Sequence, residues 1–551
     1  MRVELLSCGI RTAAFLKKEP SLPGWENIFP ATLRSREIQV RGNRKKPLNY
    51  LPKHPQKRNP NDLFCSDLPT RPLGDMGTIL VTGASGYVGG RLVPELIARG
   101  YKVRAMIRRD LPQYQARWPQ AELCVADALK IDELREAMRG IDTAYYLMHS
   151  LMKGPREFEA ADLRSARNFR RAAADCKIRR IIYLGGLGDR RNSRSHHLRS
   201  RMAVAEELKS GEVPATIMRA GIILGSGSAS YEIMYHLVDR LAIIPLPNWG
   251  HHRCHPVAIR DVIKYLVGIM ELPETAGKEF DIGGSPDATY REVLESFAEH
   301  LGKKRFFLRI PFSDISLSAY VASLLTPVPA PIIHCLVEGV KDDVISRDAE
   351  IKAVLPFEIL GYREAISRAI SREELDAVDT RWSDAYPRVH KLVIRLHELR
   401  GRPQFTAHYS LLTTKEPARI FASICKIGGK EGWFHSNWMW RTRGMVDRLL
   451  LGVGTARARK RHPRLAVGDV IDFWRIEDLQ LNQRLLLRAE MKMPGSAWLE
   501  FRIDSVGELK RLSVNVYYHT ESVWGKIYWC IFLPFHHFIF QRLIEQIEAK
   551  S

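Results

Sequence analysis

Clustered cysteines are missing from this sequence. The eight that occur, Cys8, Cys65, Cys124, Cys176, Cys254, Cys335, Cys425 and Cys530, lie far apart with no C-x-x-C pair, which fits a reducing, cytoplasmic setting better than a disulfide framework. Long hydrophobic runs are missing too. The most apolar stretch, Ile527–Phe540 (IYWCIFLPFHHFIF), has 14 residues and an internal Pro534, short of the roughly 20 that span a bilayer. No transmembrane helix is expected, although the flanking Lys526 and Arg542 leave peripheral membrane contact open. Leu5–Ile10 is interrupted by Ser7 and Cys8 and has no small-residue cleavage site, so no export is read. Zinc-finger spacings, a basic leucine zipper and aromatic-interleaved basic runs are absent, which argues against nucleic acid as a partner. No repeat period is visible, which sets solenoids aside.

Core material is plentiful, with 45% apolar and 26% charged residues over 551 positions. A chain of that length exceeds one core and calls for two or three domains of roughly 100–250 residues. The formal charge is +22, and the first 75 residues carry 14 Lys+Arg against 7 Asp+Glu, so the basic excess is partly a property of that stretch. Nine prolines and little periodicity make residues 1–75 a disordered basic extension, and Met76 stands so close to the first strand that a misassigned translation start is one explanation of it.

From Thr78 short apolar runs alternate with helical stretches, the pattern of a parallel sheet flanked by helices. Strands are expected at Thr78–Thr82, Lys102–Ile107, Ala121–Val125, Ala144–Met148, Arg180–Gly185 and Ala215–Arg219, with helices at Val88–Arg99, Ile131–Arg139, Phe158–Cys176 and Leu198–Ser210. The fold class is therefore α/β, a doubly wound parallel sheet with a small substrate lobe over 76–375. After a linker at 376–395, the texture of 396–551 becomes aromatic and strand-like. This predicts a separate α+β domain with antiparallel strands at Tyr409–Thr413, Val470–Ile476, Leu485–Met491, Ala497–Ile503 and Lys510–Tyr518 and a closing helix from about Phe535 to Ala549.

The first strand runs into Thr82-Gly83-Ala84-Ser85-Gly86-Tyr87-Val88-Gly89, and a helix opens directly behind it. In that setting the first glycine permits a tight turn, the second lets backbone approach a pyrophosphate, and the third lets the helix pack on the strand. The helix N-terminus holds the phosphates through its N–H groups and dipole. Gly83, Ser85, Gly86, Tyr87, Val88 and Gly89 are thus candidate dinucleotide contacts. The second strand closes on Arg108-Arg109 where a ribose-binding carboxylate is usual. Guanidinium groups suit a 2′-phosphate, so NADP(H) is preferred over NAD(H), the alternative being two solvated strand-end arginines. Asp127, after the third strand, is placed to meet the adenine.

On these residues the stretch from Met76 to Arg372 resembles the extended and atypical short-chain dehydrogenase/reductases, especially the NmrA-like and complex I accessory-subunit-like branch. It shares the TGxxGxxG loop, Val103-Arg104-Ala105-x-x-Arg108, the Asp127 turn and Cys254-His255-Pro256-Val257-Ala258-Ile259-Arg260-Asp261-Val262. The C-terminal part, with Trp438-Met439-Trp440-Arg441, Gly468-Asp469-Val470-Ile471-Asp472-Phe473-Trp474 and Trp524-Gly525-Lys526-Ile527-Tyr528-Trp529, is similar to a domain of unknown function found fused to such proteins. The resemblance implies an oxidoreductase using a Ser, and a Tyr and Lys four residues apart. Here the strand ends Leu184-Gly185-Gly186, and the Tyr and Lys positions hold His197 and Arg201. His197 could carry a proton and Arg201 could hold the nicotinamide ribose; a surface-helix histidine in a basic loop is the alternative. That loop, with Arg190, Arg191, Arg194, His196 and Arg199, reads either as an anion-binding patch or as a solvated one. His251, His252, Cys254 and His255 lack a carboxylate partner, and no metal site is assigned. The expected ligand is a small apolar carbonyl or quinone. A non-catalytic NADP(H) sensor or scaffold, and lipid or quinone binding by the C-terminal domain, are the alternatives; no protein partner is readable.

Overall fold

Uncharged strands such as TILV at Thr78–Val81 are stable only with both faces covered, and the architecture supplies that cover. The computed structural model describes residues 63–551 apart from 75, 109–111, 150–154, 189–194, 285, 312–313, 342, 375–379, 383–395, 397–398, 400–401, 429–431, 434–436, 450–464 and 466. β1 (Thr78–Val81), β2 (Val103–Ile107), β3 (Glu122–Val125), β4 (Ile141–Tyr146), β5 (Arg180–Gly186), β6 (Ala215–Ala220) and β7 (Glu279–Ile282) form one seven-stranded sheet. Its order is β7-β6-β5-β4-β1-β2-β3, with each neighbouring pair parallel.

The helices of this region are α1 (Gly89–Ala98), α2 (Pro112–Arg117), α3 (Ile131–Met138), α4 (Pro155–Asp175), α5 (His196–Lys209), α6 (Ala229–Arg240), α7 (Ile259–Met270), α8 (Tyr290–His300), α9 (Ile315–Leu325), α10 (Ala330–Glu338), α11 (Ala349–Val354) and α12 (Tyr362–Glu374). Alternation along β1 divides the packing between the sheet faces. Ile79 and Val81 meet Leu92, Val93 and Leu96 of α1 and Ile263, Leu266 and Val267 of α7 on one side. Leu80 joins Leu134 of α3, Phe169 of α4 and Val204 of α5 on the other. Because β1 is followed by β2 on one side and flanked by β4 on the other, the chain changes direction there and leaves a crevice at the strands' carboxyl ends. A smaller lobe stands over that crevice, with its own cores around Tyr231, Val293, Phe297 and Ile366 and around Ile332 and Ile333.

The second sheet is antiparallel throughout. β8 (Phe405–Thr413), β9 (Val470–Ile471), β10 (Trp474–Gln480), β11 (Arg484–Ala489), β12 (Ser496–Val506) and β13 (Leu509–His519) lie in the order β8-β13-β12-β11-β10-β9. Helices α13 (Pro417–Ile424), α14 (Asn437–Leu449) and α15 (Val523–Ala549) complete the domain. Leu487, Leu499, Phe501, Leu512 and Val514 share a core with Phe540, Leu543, Ile544 and Ile547 of α15.

Several expectations are corrected. Residues 63–74 are part of the fold: Cys65 and Leu68 are buried in the first core, and the Phe64 and Cys65 amides donate to buried Glu95 at 3.0 and 3.1 Å. Charge hid this docking from a composition argument, since Asp67 also accepts from Lys264 at 2.8 Å. The rest of the expected extension, residues 1–62, lies outside the described residues, as does most of the 376–395 linker. The sheet has seven strands where six were expected, because β7 mixes Glu279 and Asp281, paired to Lys209 and Arg219, with buried Phe280 and Ile282. The single strand expected at Val470–Ile476 is a hairpin, turned at Asp472 with φ +55°. α15 begins at Val523 and passes through Pro534, where the closing helix was expected to start only after that residue. An internal proline costs about 3 kcal/mol, which burial of Trp529 on one side of it and Phe540, Leu543 and Ile544 on the other offsets.

Candidate functional site

The loop between β1 and α1 is shaped by its glycines. Gly83 has φ +64°, and a Cβ there would fall 2.5 Å from the carbonyl oxygen of Leu147. A Cβ at Gly89 would fall 2.4 Å from the carbonyl oxygen of Gly83, so the helix start lies directly on the turn. No acidic side chain sits in the first turn of α1 and no side chain caps it, an arrangement suited to an anion at the N-terminus. Arg91 anchors the loop from beneath: buried, it donates to the carbonyl oxygens of Thr380 and Ser226 at 2.9 Å each and lies over the Tyr87 ring at 4.2 Å.

Gly83, Ser85, Gly86, Tyr87, Val88 and Gly89 line one cavity of about 1300 Å³, together with Arg108, Asp127, His197 and Arg201. The candidates read from the sequence are thus brought to one space, apart from Arg109, which lies outside the described residues with Arg190, Arg191 and Arg194. Arg108 is exposed at the end of β2, whereas Arg104 on the same strand pairs with Glu122 at 2.9 Å and donates to the Ala137 carbonyl. Asp127 is held in a turn, accepting from the Leu129 amide at 3.0 Å while its own amide donates to Glu133 at 2.8 Å. His251 does not line the cavity. His252 Nδ1 lies 2.8 Å from the Val340 carbonyl oxygen, His255 Nδ1 lies 2.6 Å from Ser346 Oγ, and Cys254 Sγ donates to the Ala288 carbonyl. These residues tie the lobe together.

The catalytic candidates sit on α5. Arg201 is buried, pairs with Asp162 at 2.7 Å and donates to the Met148 carbonyl at 3.3 Å, which joins α5 to α4 and the end of β4. Burial, then the Arg201 charge and then His149 hold the His197 imidazole well below its usual range, so it is neutral near neutrality. His149 follows β4 and also faces the cavity; the enclosing protein, with Arg201 and Arg108, lowers it to about 3. Sequence reading missed His149 and Asp162. His149 could have been found from its place just past a strand's carboxyl end, where ligands meet such sheets, whereas Asp162 lies inside α4 without a motif. Gly185 and Gly186 line the cavity where the resemblance implies a serine.

Away from the loop the lining turns apolar, with Ile233, Met234, Leu237, Val321, Ile333 and Trp382 from the lobe. It ends against the second domain at Val467, Gly468 and Ile476 and at the charged Arg475, Glu477, Arg488 and Glu490. The last four form an ion-pair lattice around buried Arg488 and Glu490: Arg475 donates to Glu490 at 2.6 Å, and Arg488 lies 3.4 Å from Glu490 and 3.8 Å from Glu477. No sequence motif announced that the second domain reaches this space.

Comparison with known proteins agrees with this geometry. Residues 83–239 match the family described as NAD(P)H-binding, and residues 399–543 match the protein family of unknown function DUF2867. Ceramide reductase of Caulobacter vibrioides is 24% identical over 239 residues, 43% of this chain and 74% of that protein. Subunit 9 of the NADH dehydrogenase (ubiquinone) 1 alpha subcomplex of Arabidopsis thaliana, a mitochondrial protein, is 23% identical over 303 residues, 51% of this chain and 75% of that one. The chain spans only 35% of cinnamoyl-CoA reductase 1 of Petunia hybrida, at 28% identity over 117 residues. Among solved structures, the Citrobacter sp. triphenylmethane reductase complexed with NADP(H) is 17% identical with a TM-score of 0.44, covering 53% of this chain and 99% of that one. Residues 83–239 thus belong to an NAD(P)H-binding Rossmann domain, with a complex I subunit among its similar proteins, and residues 399–543 to a separate C-terminal DUF2867 domain.

Proposed function

We propose that the protein is an NADP(H)-dependent oxidoreductase acting on an apolar carbonyl or quinone, in the cytoplasm and at a membrane surface. The observation that carries the reading is the single cavity running from the glycine loop into an apolar lobe. The residues fit the cofactor: Gly83 and Gly89, where a Cβ would meet the Leu147 and Gly83 carbonyl oxygens, let the turn and the start of α1 close into a phosphate loop, and Arg108 offers a cation beside the second strand. NADP(H), when bound, supplies hydride chemistry.

The chain's own residues would do the rest. The Gly83–Gly89 loop would hold the phosphates, and Asp127 would face the adenine. Arg201, fixed by Asp162, would orient the ribose end. His197 and His149, neutral near neutrality, would donate or accept a hydrogen bond at the substrate oxygen, and the apolar lobe would exclude water. Similarity to ceramide reductase supports an apolar substrate.

A second reading, an NADP(H)-binding sensor or scaffold that moves no hydride, is favoured by Gly185, His197 and Arg201 at the positions of the usual Ser, Tyr and Lys. A third, lipid or quinone carriage, is favoured by the reach of the cavity to Val467 and Ile476.

Calorimetric titration of NADPH and NADH, followed by assay of NADPH oxidation with quinones and apolar carbonyls, separates the readings. Tight NADPH binding with turnover is expected. Binding without turnover selects the sensor, and absence of binding removes the redox reading altogether.

A further inference from the structure

Helix α15 has two unlike faces. Gly525, Trp529, Phe540, Leu543, Ile544 and Ile547 are buried. Val523, Trp524, Ile527, Ile531, Phe535 and Phe538 are exposed, Trp524 by 75% and Ile531 by 58%. At about 100° per residue these six fall within an arc of about 120°, and they run along about 22 Å of helix axis. Single exposed apolar side chains are ordinary, but a continuous stripe marks a contact surface.

The charges at its borders say what it contacts. From Ser522 to Ile544 there is no Asp or Glu, and the exposed basic side chains there are Lys526, His537 and Arg542, with the exposed Glu521 and Glu545 lying just beyond the two ends. The Arg542 guanidinium lies 4.1 Å from the centre of the Phe538 ring, so an apolar ring and a cation share one edge of the stripe. Trp524 stands at the other end, with a ring suited to the headgroup level of a bilayer. The chain as a whole carries a formal charge of +22. No described helix is long and apolar enough to cross a membrane, so the stripe's geometry is that of a helix lying in the interface plane.

We propose that the Val523–Phe538 face of α15 docks the protein on anionic lipid bilayers, the apolar stripe entering the acyl boundary and Lys526 and Arg542 meeting lipid phosphates. The inference is independent of the redox reading, since it uses no residue of the nucleotide cavity.

Co-sedimentation of the full-length protein with phosphatidylcholine vesicles, with and without phosphatidylglycerol, tests it. Binding to the anionic vesicles is expected, with partitioning reduced about tenfold or more in Trp524→Ala/Ile531→Ala at unchanged melting temperature. Arg542→Gln should lose about fivefold on anionic vesicles and little on neutral ones. Should the double variant melt early, Ile531→Gln alone serves, with the same direction of change expected. Equal sedimentation of wild type and variants overturns the proposal, as does failure of the wild type to bind either vesicle. A wild-type dimer that the double variant dissociates overturns it in favour of a second copy covering the stripe.

Discussion

The two large sheets among the described residues approach the same cavity by different means. The parallel sheet contributes backbone at its glycine loop, which works because side chains are absent from Gly83 and Gly89 and whose residues are consecutive in the chain. The antiparallel sheet contributes side chains, with Arg475 and Glu477 on β10, Arg488 on the neighbouring β11 and Glu490 just past its end, held by one another. A backbone site tolerates almost no substitution at its glycines but imposes little on its surroundings. A side-chain lattice depends on register, because a slip of one residue in either strand would turn that strand's charges to the opposite face and part them from their partners. Chemistry built on the first is therefore legible in a motif, and chemistry built on the second is not.

The comparison can be broken most sharply in the second domain. Trp433 is 1% exposed, stacks on Trp440 with ring centres 4.4 Å apart, and donates from Nε1 to Asp472 at 2.8 Å. Trp433→Ala should cost about 3–5 kcal/mol of that domain's stability and leave NADPH affinity within a fewfold of wild type. Denaturant unfolding alongside calorimetry checks both halves, and a parallel loss of nucleotide binding would mean that the two sheets act as one unit.

Gly89→Val places a branched side chain against the Gly83 carbonyl and should weaken either nucleotide by about a hundredfold, roughly 2.7 kcal/mol. The measurement is calorimetry on variant protein whose far-ultraviolet circular dichroism is unchanged; retained affinity would remove the loop from the site. Replacing Arg108 with Asp should be smaller and selective, about thirtyfold against NADPH and only a fewfold against NADH. Equal losses for the two nucleotides would withdraw the 2′-phosphate assignment.

The smallest effect expected is on pH dependence. Burial lowers His536 on α15 to about 4, beneath the ordinary histidine value. Because the folded-state pKa is depressed, the unfolded chain binds the proton more readily. The stability contribution is therefore present above about pH 6.5 and is lost as pH falls toward 4. Between about pH 7 and 5 this group should remove about 2 kcal/mol. His536→Leu should flatten that part of the stability–pH curve, and an unchanged slope would assign the acid sensitivity to other groups.

What was legible followed physical rules of different range. The strands from β1 to β6 could be read because a sheet covered on both faces demands local apolar runs, and the nucleotide loop because turn, helix start and phosphate contact fall within consecutive residues. β7 escaped because half of its side chains are charged and paired with Lys209 and Arg219, residues far away in the chain. The docking of residues 63–74 escaped for the same reason, since it rests on Glu95 and Lys264. Pro534 suggested a helix boundary by its own chemistry, and packing on both sides of it carried the helix through.

By itself the sequence determined a parallel α/β domain with a dinucleotide loop, an arginine where a carboxylate is usual, and a separate strand-rich domain behind it. Only the tertiary structure decided that one cavity joins all three regions, that His149 and Asp162 belong to it, and that α15 leaves an apolar face uncovered. The reason is range: a glycine's conformation and a strand's apolar alternation are settled within a few residues, whereas enclosure, desolvation and ion pairing depend on groups that meet only when the chain is folded.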